Sequence, residues 1–277
     1  MTTLRTPILI VGLGVMGGSL ARALRAHDVE VMGIDPDPLT GARALQDGVI
    51  DRFDAGGEGL VGDAGCVVYA APLRVTLGLL EEHAPRIRPD AVVTDVVSLK
   101  APVVERARQV GLGDRFVGAH PMCGSERSGF AASSATLFQD ARVYLCGEGD
   151  GGPVETLWRA VGGTPEWIDA AEHDRMMAWV SHLPQLVANA LAGALHAAGF
   201  TPEQMGPGAR DMTRLAGSNP EMWEDLLRAS APVTGTGLTS VTRALQVVGD
   251  LLARRDVDRV VEFMQRTRAW RVAEDET

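Results

Sequence analysis

A chain of 277 residues with 45% hydrophobic and 22% charged residues is ordinary globular material, long enough for two domains or one large one. Its formal charge of −10 and pI near 5.1 argue against nucleic acid and anionic membrane surfaces as partners. No apolar run approaches the ~20 residues that cross a bilayer, and the opening MTTLRTP is too short and polar for a signal peptide, so a cytoplasmic protein is expected.

The first predicted strand covers residues 8–11, four apolar residues, and Gly12, Gly14 and Gly17 follow it in G-x-G-x-x-G spacing. Met16, Leu20, Ala23 and Leu24 recur at helical spacing. A second strand, 29–34, ends on Asp35. Strand, glycine turn, helix, strand and acid together form the dinucleotide-binding fingerprint. Gly12 permits the tight turn, Gly14 lets the backbone approach a pyrophosphate at the helix N-terminus, and Gly17 lets helix and strand pack closely. Asp35 is placed to accept hydrogen bonds from ribose hydroxyls. Its carboxylate would repel a 2′-phosphate, and the following Pro36-Asp37 supplies no arginine, so NAD is favoured over NADP.

A helix is predicted over 38–46, a strand over 66–70, a helix over 75–87, a strand over 91–96 and a helix over 102–109. Further strands follow at 116–119, 141–146 and 166–168, with a helix at 153–161. Ligands of such sheets bind at the carboxyl ends of the strands. That rule places Ala71, Pro72 and Ser98 beside the cofactor, with Gly12, Leu13, Gly14, Val15, Met16, Gly17 and Asp35. After Asp169 the pattern is helical: 171–198, with Pro184 as a kink or break, then 207–215, 220–229, 238–254 and 257–270. The expected fold is α/β, an N-terminal Rossmann-type doubly wound sheet (1–170) followed by an all-α domain (171–277). Leu183, Leu186, Val187, Leu191 and Leu195 suggest an apolar stripe that a helical homodimer would share.

Cys66, Cys123 and Cys146 lack metal-ligand spacing and suit a reducing compartment; no metal is expected. Lys100 is the only lysine, so any lysine-dependent chemistry must use it. Among the histidines, His120 follows a predicted strand end in VGAHPMCGSERSG. There it is a general base or a residue capping its own loop. His182, in VSHLPQ, is either packed in the core, orienting a neighbour, or on the substrate side. His27, His83 and His196 read as solvent-facing. Ser98 faces the same crevice as His120. Arg214 is either a solvated helix arginine or a carboxylate clamp, and Trp223 is either core or a ring anchor.

The stretches GLGVMGGSLARAL, TDVVSLK, FVGAHPMCGSERSG, AEHDRMMAWVSHLP and RDMTRLAGSNPEMW resemble the TyrA family of prephenate and arogenate dehydrogenases, in family order from about residue 7 to 225. The resemblance implies NAD-dependent oxidative decarboxylation in tyrosine biosynthesis and an intertwined dimer through the helical domain. It implies that His120 accepts the proton of the ring hydroxyl and that Ser98 contacts that hydroxyl and the nicotinamide. By the same resemblance Arg214 binds a substrate carboxylate, Ser125 and Glu126 line the pocket, and Trp223 closes it. Prephenate-using bacterial members often read SHLPH, whereas this chain reads SHLPQ. A neutral Gln185 would not disfavour the ammonium of arogenate, or of an amino-substituted prephenate, as a cationic histidine would. A β-hydroxyacid dehydrogenase is the competing enzyme reading, against which the lone Lys100 in the first domain counts. A non-catalytic NAD sensor is the competitor from another class.

Overall fold

The computed structural model describes residues 4–57, 59–124 and 127–273. The chain forms two compact units. One comprises Met1–Met177 with Ser218–Ala229, the other Ala178–Gly217 with Ser230–Thr277.

The first unit is built on an eight-stranded sheet. In chain order its elements are β1 (Ile8–Val11), α1 (Val15–Leu24), β2 (Val31–Ile34), α2 (Pro38–Gln46), β3 (Arg52–Asp54), β4 (Cys66–Tyr69), α3 (Leu73–His83), β5 (Val92–Asp95), α4 (Ala101–Gln109), β6 (Phe116–Pro121), β7 (Arg142–Cys146), α5 (Gly152–Ala160), β8 (Thr164–Trp167) and α6 (Ala170–Met177). The strand order is β3-β2-β1-β4-β5-β6-β7-β8. All neighbours are parallel except β6 and β7, which run antiparallel. The centre of the sheet is covered on both faces, which explains why β1, β2 and β4 read as unbroken apolar runs, whereas the edge strands β3 and β8 are polar. Along β1, Ile8 and Ile10 enter one core cluster while Leu9 and Val11 enter the other, the two-residue period of a strand.

Local chemistry sets several element ends. Asp37 starts α2: its carboxylate accepts the N–H groups of Leu39 (3.0 Å) and Thr40 (3.2 Å), and Pro38 occupies the first turn, where its missing donor costs nothing. Helix α4 has no cap of its own. The N–H groups of Lys100 and Ala101 donate instead to Asp174 of α6, at 2.7 and 2.9 Å.

The second unit is helical. Its elements are α7 (Leu183–Ala197), α8 (Pro207–Thr213), most of α9 (Glu221–Ala253) and α10 (Val257–Val272). The single helix expected over 171–198 is α6 and α7 joined through a π-helical turn, Ala178–His182. That turn immediately precedes Pro184, whose missing N–H breaks the α-helical ladder. Of the anticipated stripe, Leu183 is buried, and Leu186, Val187, Leu191 and Leu195 are half-buried. The helices expected at 220–229 and 238–254 are one helix of 33 residues with Pro232 inside it. Thr236 and Thr239 hydroxyls donate to the carbonyls of Pro232 (3.1 Å) and Gly235 (2.9 Å), which satisfies these hydroxyls within the helix. The edge strand β3 was not anticipated. No helix among the described residues is long and apolar enough to cross a membrane.

Candidate active site

The glycine turn has the geometry its sequence implies. Gly12 has φ +98°, and a Cβ there would lie 2.7 Å from the Ala70 carbonyl oxygen. Only glycine tolerates that backbone so close to β4. A Cβ on Gly17 would run into the Gly12 carbonyl and the Ile10 side chain, so glycine lets α1 seat on β1. Gly14 differs: a Cβ there would meet nothing within 4 Å. It is the N-terminal cap residue of α1, and no side chain caps that end. Gly14, Val15 and Met16 also line a cavity, so this uncapped helix start has room for an anion. Asp35, at the end of β2, accepts the N–H of Leu13 at 2.8 Å and of Asp37 at 2.9 Å. It thereby ties the glycine turn to the second strand.

A cavity of about 500 Å³ lies in this unit at the carboxyl ends of β1, β4, β5 and β6. The structure brings Gly14, Val15, Met16, Ala71, Pro72, Ser98 and His120 together around it. These are the residues that the strand-end rule and the glycine motif picked out. Leu13 is buried beneath the turn. The segment preceding and opening α9 supplies Asn219, Met222, Asp225 and Leu226 to the wall. Trp223, on the same helix, is half-buried and is not among the lining residues. Ser125 and Glu126 lie outside the described residues.

His120 sits inside β6 rather than after it, paired in register with Tyr144 of β7. Its Nδ1 lies 2.9 Å from His173 Nε2, and His173 Nδ1 lies 2.8 Å from Asp174 Oδ1. His173 and Asp174 were not singled out from the sequence, although both lie in AEHDRMMAWVSHLP. An adjacent His-Asp pair near the start of a helix was the available signal.

Beneath the cavity, Lys100 and Asp95 are both fully buried. Lys100 Nζ donates to Asp95 Oδ2 at 2.5 Å and to the Ala119 carbonyl at 2.7 Å. Asp95 also accepts the N–H groups of Val97 (2.9 Å) and Ala119 (3.1 Å). Burial pushes the Asp95 carboxyl up, and the Lys100 ammonium and these N–H groups oppose that push. The pair joins the loop bearing Ser98 to the strand bearing His120. The sole lysine is consumed in structure, which leaves none for lysine-dependent dehydrogenase chemistry.

In the helical unit, Arg214 opens the turn Arg214–Gly217 and is exposed. His182 is 1% exposed. Gln185 is buried, and its amide N–H donates to the Leu215 carbonyl at 2.8 Å. His27 and His196 are exposed as expected, but His83 is not. It is 2% exposed, with Nδ1 3.2 Å from the Tyr69 hydroxyl. The end of α3 folds back over β4, a long-range packing that composition around His83 does not signal.

The description "prephenate dehydrogenase, nucleotide-binding domain" matches residues 20–163, and "prephenate dehydrogenase, dimerization domain" matches 169–266. A prephenate dehydrogenase of Bacillus subtilis is 38% identical over 247 residues, 82% of this chain and 65% of that protein's length. The prephenate dehydrogenase of Aquifex aeolicus, solved with hydroxyphenyl propionate and NAD+, superposes with a TM-score of 0.88 at 30% identity over 98% of each chain. Synechocystis arogenate dehydrogenase gives a TM-score of 0.81 at 26% identity, over 95% of this chain and 98% of that one. Two family models in sequence order and these full-length superpositions lead to one conclusion: the chain belongs to the prephenate dehydrogenase family.

Proposed function

We propose that this chain is an NAD-dependent dehydrogenase that oxidatively decarboxylates prephenate, arogenate or both, in the formation of tyrosine. The observation that carries the reading is the cavity in which Ser98 and His120 meet the open, uncapped start of α1 at Gly14. A nucleotide-binding domain match over residues 20–163 and a cradle into which no Cβ projects fit a dinucleotide. Asp35 would receive the ribose hydroxyls and Gly14 the pyrophosphate. NAD supplies the hydride acceptor when bound.

The chain's own residues provide a base and charge complementarity. His120 would accept the proton of the ring hydroxyl on the carbon that gives up hydride. Ser98 holds that hydroxyl in place. Carbon dioxide departs across the ring, its bonding pair completing the aromatic system, and the proton returns to the phenolate oxygen. Aromatisation drives the step. Arg214 serves as the carboxylate clamp, which its planar fork suits. His182, 1% exposed, supports a packed orienting role better than direct substrate contact.

Gln185 bears on substrate choice through Arg214. Its amide holds the carbonyl of Leu215, the residue after Arg214, so its influence runs through the turn that carries the clamp. A neutral side chain there leaves arogenate open as a substrate. The dimerization-domain match over 169–266, together with exposed apolar side chains such as Leu245, Val247, Leu252 and Val261, supports a homodimer through the helical unit. The experiment is NADH formation by purified protein offered prephenate and arogenate in parallel with NAD or NADP. Turnover with NAD supports the reading; silence with both substrates, while NAD still binds, overturns it.

A further inference from the structure

We propose that His173 and Asp174 are positioning residues for the base, forming a His120–His173–Asp174 relay that fixes the tautomer of His120 and stabilises the charge its ring acquires. The proposal rests on the reading of His120 as base. An ionised carboxylate can only accept hydrogen bonds. At 2.8 Å from Asp174 Oδ1, His173 Nδ1 is therefore the donor. In a neutral ring that leaves Nε2 as acceptor. His120 Nδ1, 2.9 Å away, must then be the protonated nitrogen. The lone pair of His120 is on Nε2, the nitrogen required of a base whose other nitrogen is committed. The arrangement follows the general logic of a base oriented by a second group and anchored by a carboxylate.

The sheet, α6 and the start of α4 all hold the relay. His173 is fully buried, and its ring meets that of His120 edge-on, with centroids 5.1 Å apart at 79°. The Tyr144 ring packs against it from β7, with centroids 5.5 Å apart. The His173 backbone N–H donates to the Asp169 carbonyl at 2.8 Å. Asp174 is oriented by the two N–H groups at the start of α4, where the helix dipole also favours a negative charge. The titratable groups around His173 are Asp174 on its own helix, His120 and Tyr144 from the sheet with Arg142 bonded to Tyr144, and Lys100 of the α4 start. Lys100 turns its ammonium to Asp95 and the Ala119 carbonyl instead.

When His120 takes the hydroxyl proton, an N–H bond forms at Nε2 as the O–H bond breaks, and the ring becomes cationic. The hydrogen bond to His173 then strengthens, and the Asp174 carboxylate offsets the charge through it. No proton has to move beyond His120. Asp174 also caps the helix that follows Ser98-Leu99, so one carboxylate aligns both partners of the substrate hydroxyl.

The test compares His173→Leu, His173→Gln, Asp174→Asn and His120→Asn by kcat, KM, the pH profile of kcat/KM, and NAD affinity from tryptophan fluorescence. A general base supplies typically 10²–10⁴-fold. The relay's share is expected to be about tenfold to a hundredfold in kcat. His173→Leu should lose that factor with NAD affinity and KM little changed, and its acid limb should move to lower pH as the base weakens. His173→Gln, which keeps an acceptor near His120, should recover much of kcat. Asp174→Asn should shift the acid limb the same way, which gives an arm independent of the buried Leu substitution. Wild-type kcat and acid limb in both His173→Leu and Asp174→Asn, alongside an inactive His120→Asn, would overturn the relay and leave the base standing. An active His120→Asn enzyme would overturn the base itself and the relay with it.

Discussion

Replacing Lys100 by methionine tests whether the sole lysine is structural. The substitution roughly preserves length and apolar volume but removes a charge that is 0% exposed. Asp95 loses its 2.5 Å partner, and the Ala119 carbonyl loses a donor at 2.7 Å. Asp95 retains only the backbone N–H groups of Val97 and Ala119, so a buried carboxylate is left without a counter-charge. Breaking a buried pair from one side costs about 3–5 kcal/mol. At roughly 2–4 °C per kcal/mol for a chain of this size, the melting temperature should fall by about 6–20 °C. The double variant Asp95→Asn/Lys100→Met removes both charges, and its loss should be smaller than the sum of the single losses. Calorimetry or circular dichroism on the four proteins measures this cycle. A Lys100→Met melting temperature within about 2 °C of wild type would refute the reasoning.

Three further outcomes follow from particular side chains. Gly14→Ala should leave the melting temperature nearly unchanged, because its Cβ meets nothing within 4 Å. It should weaken NAD binding by at least about tenfold, because the methyl enters the anion cradle; unchanged affinity by titration calorimetry would count against the cradle. Gln185→His should change the ratio of kcat/KM for arogenate and prephenate toward prephenate, and an unchanged ratio would remove Gln185 from substrate choice. Burial lowers the His83 pKa from the ordinary 6.5, so the unfolded chain takes up that proton first on acidification. The stability contributed by the neutral ring is complete above pH 6.5 and is lost as the pH falls through the lower folded value. His83→Gln should therefore flatten the melting-temperature profile just below pH 6.5; parallel profiles for the two proteins would contradict the assignment.

The parts of this site that were legible in the sequence are those set by local chemistry. The turn from Gly12 to Gly17 and the acid Asp35 carry their geometry in adjacent residues. The apolar runs that became β1, β4 and β5 delivered Ala71, Pro72 and Ser98 to the sheet edge by a topological rule. What escaped depends on contacts distant in sequence. His173 meets His120 across 53 positions, and α6, which carries it, follows β7 and β8. Nothing in the run ARVYLC signals that this strand reverses direction beside β6. His83 became buried for a related reason, through the return of α3 over Tyr69. The uninterrupted α9 was hidden by Pro232, Gly235 and Gly237, local breakers that tertiary context overrides.

The most direct measurement of the central claim is the rate of NADH formation from prephenate and from arogenate by wild-type protein and by His120→Asn. NAD-dependent turnover of at least one substrate is expected, with a loss in kcat of about 10²–10⁴-fold in the variant and NAD binding retained. Turnover of neither substrate by wild-type protein, or equal turnover by both proteins, would contradict that claim.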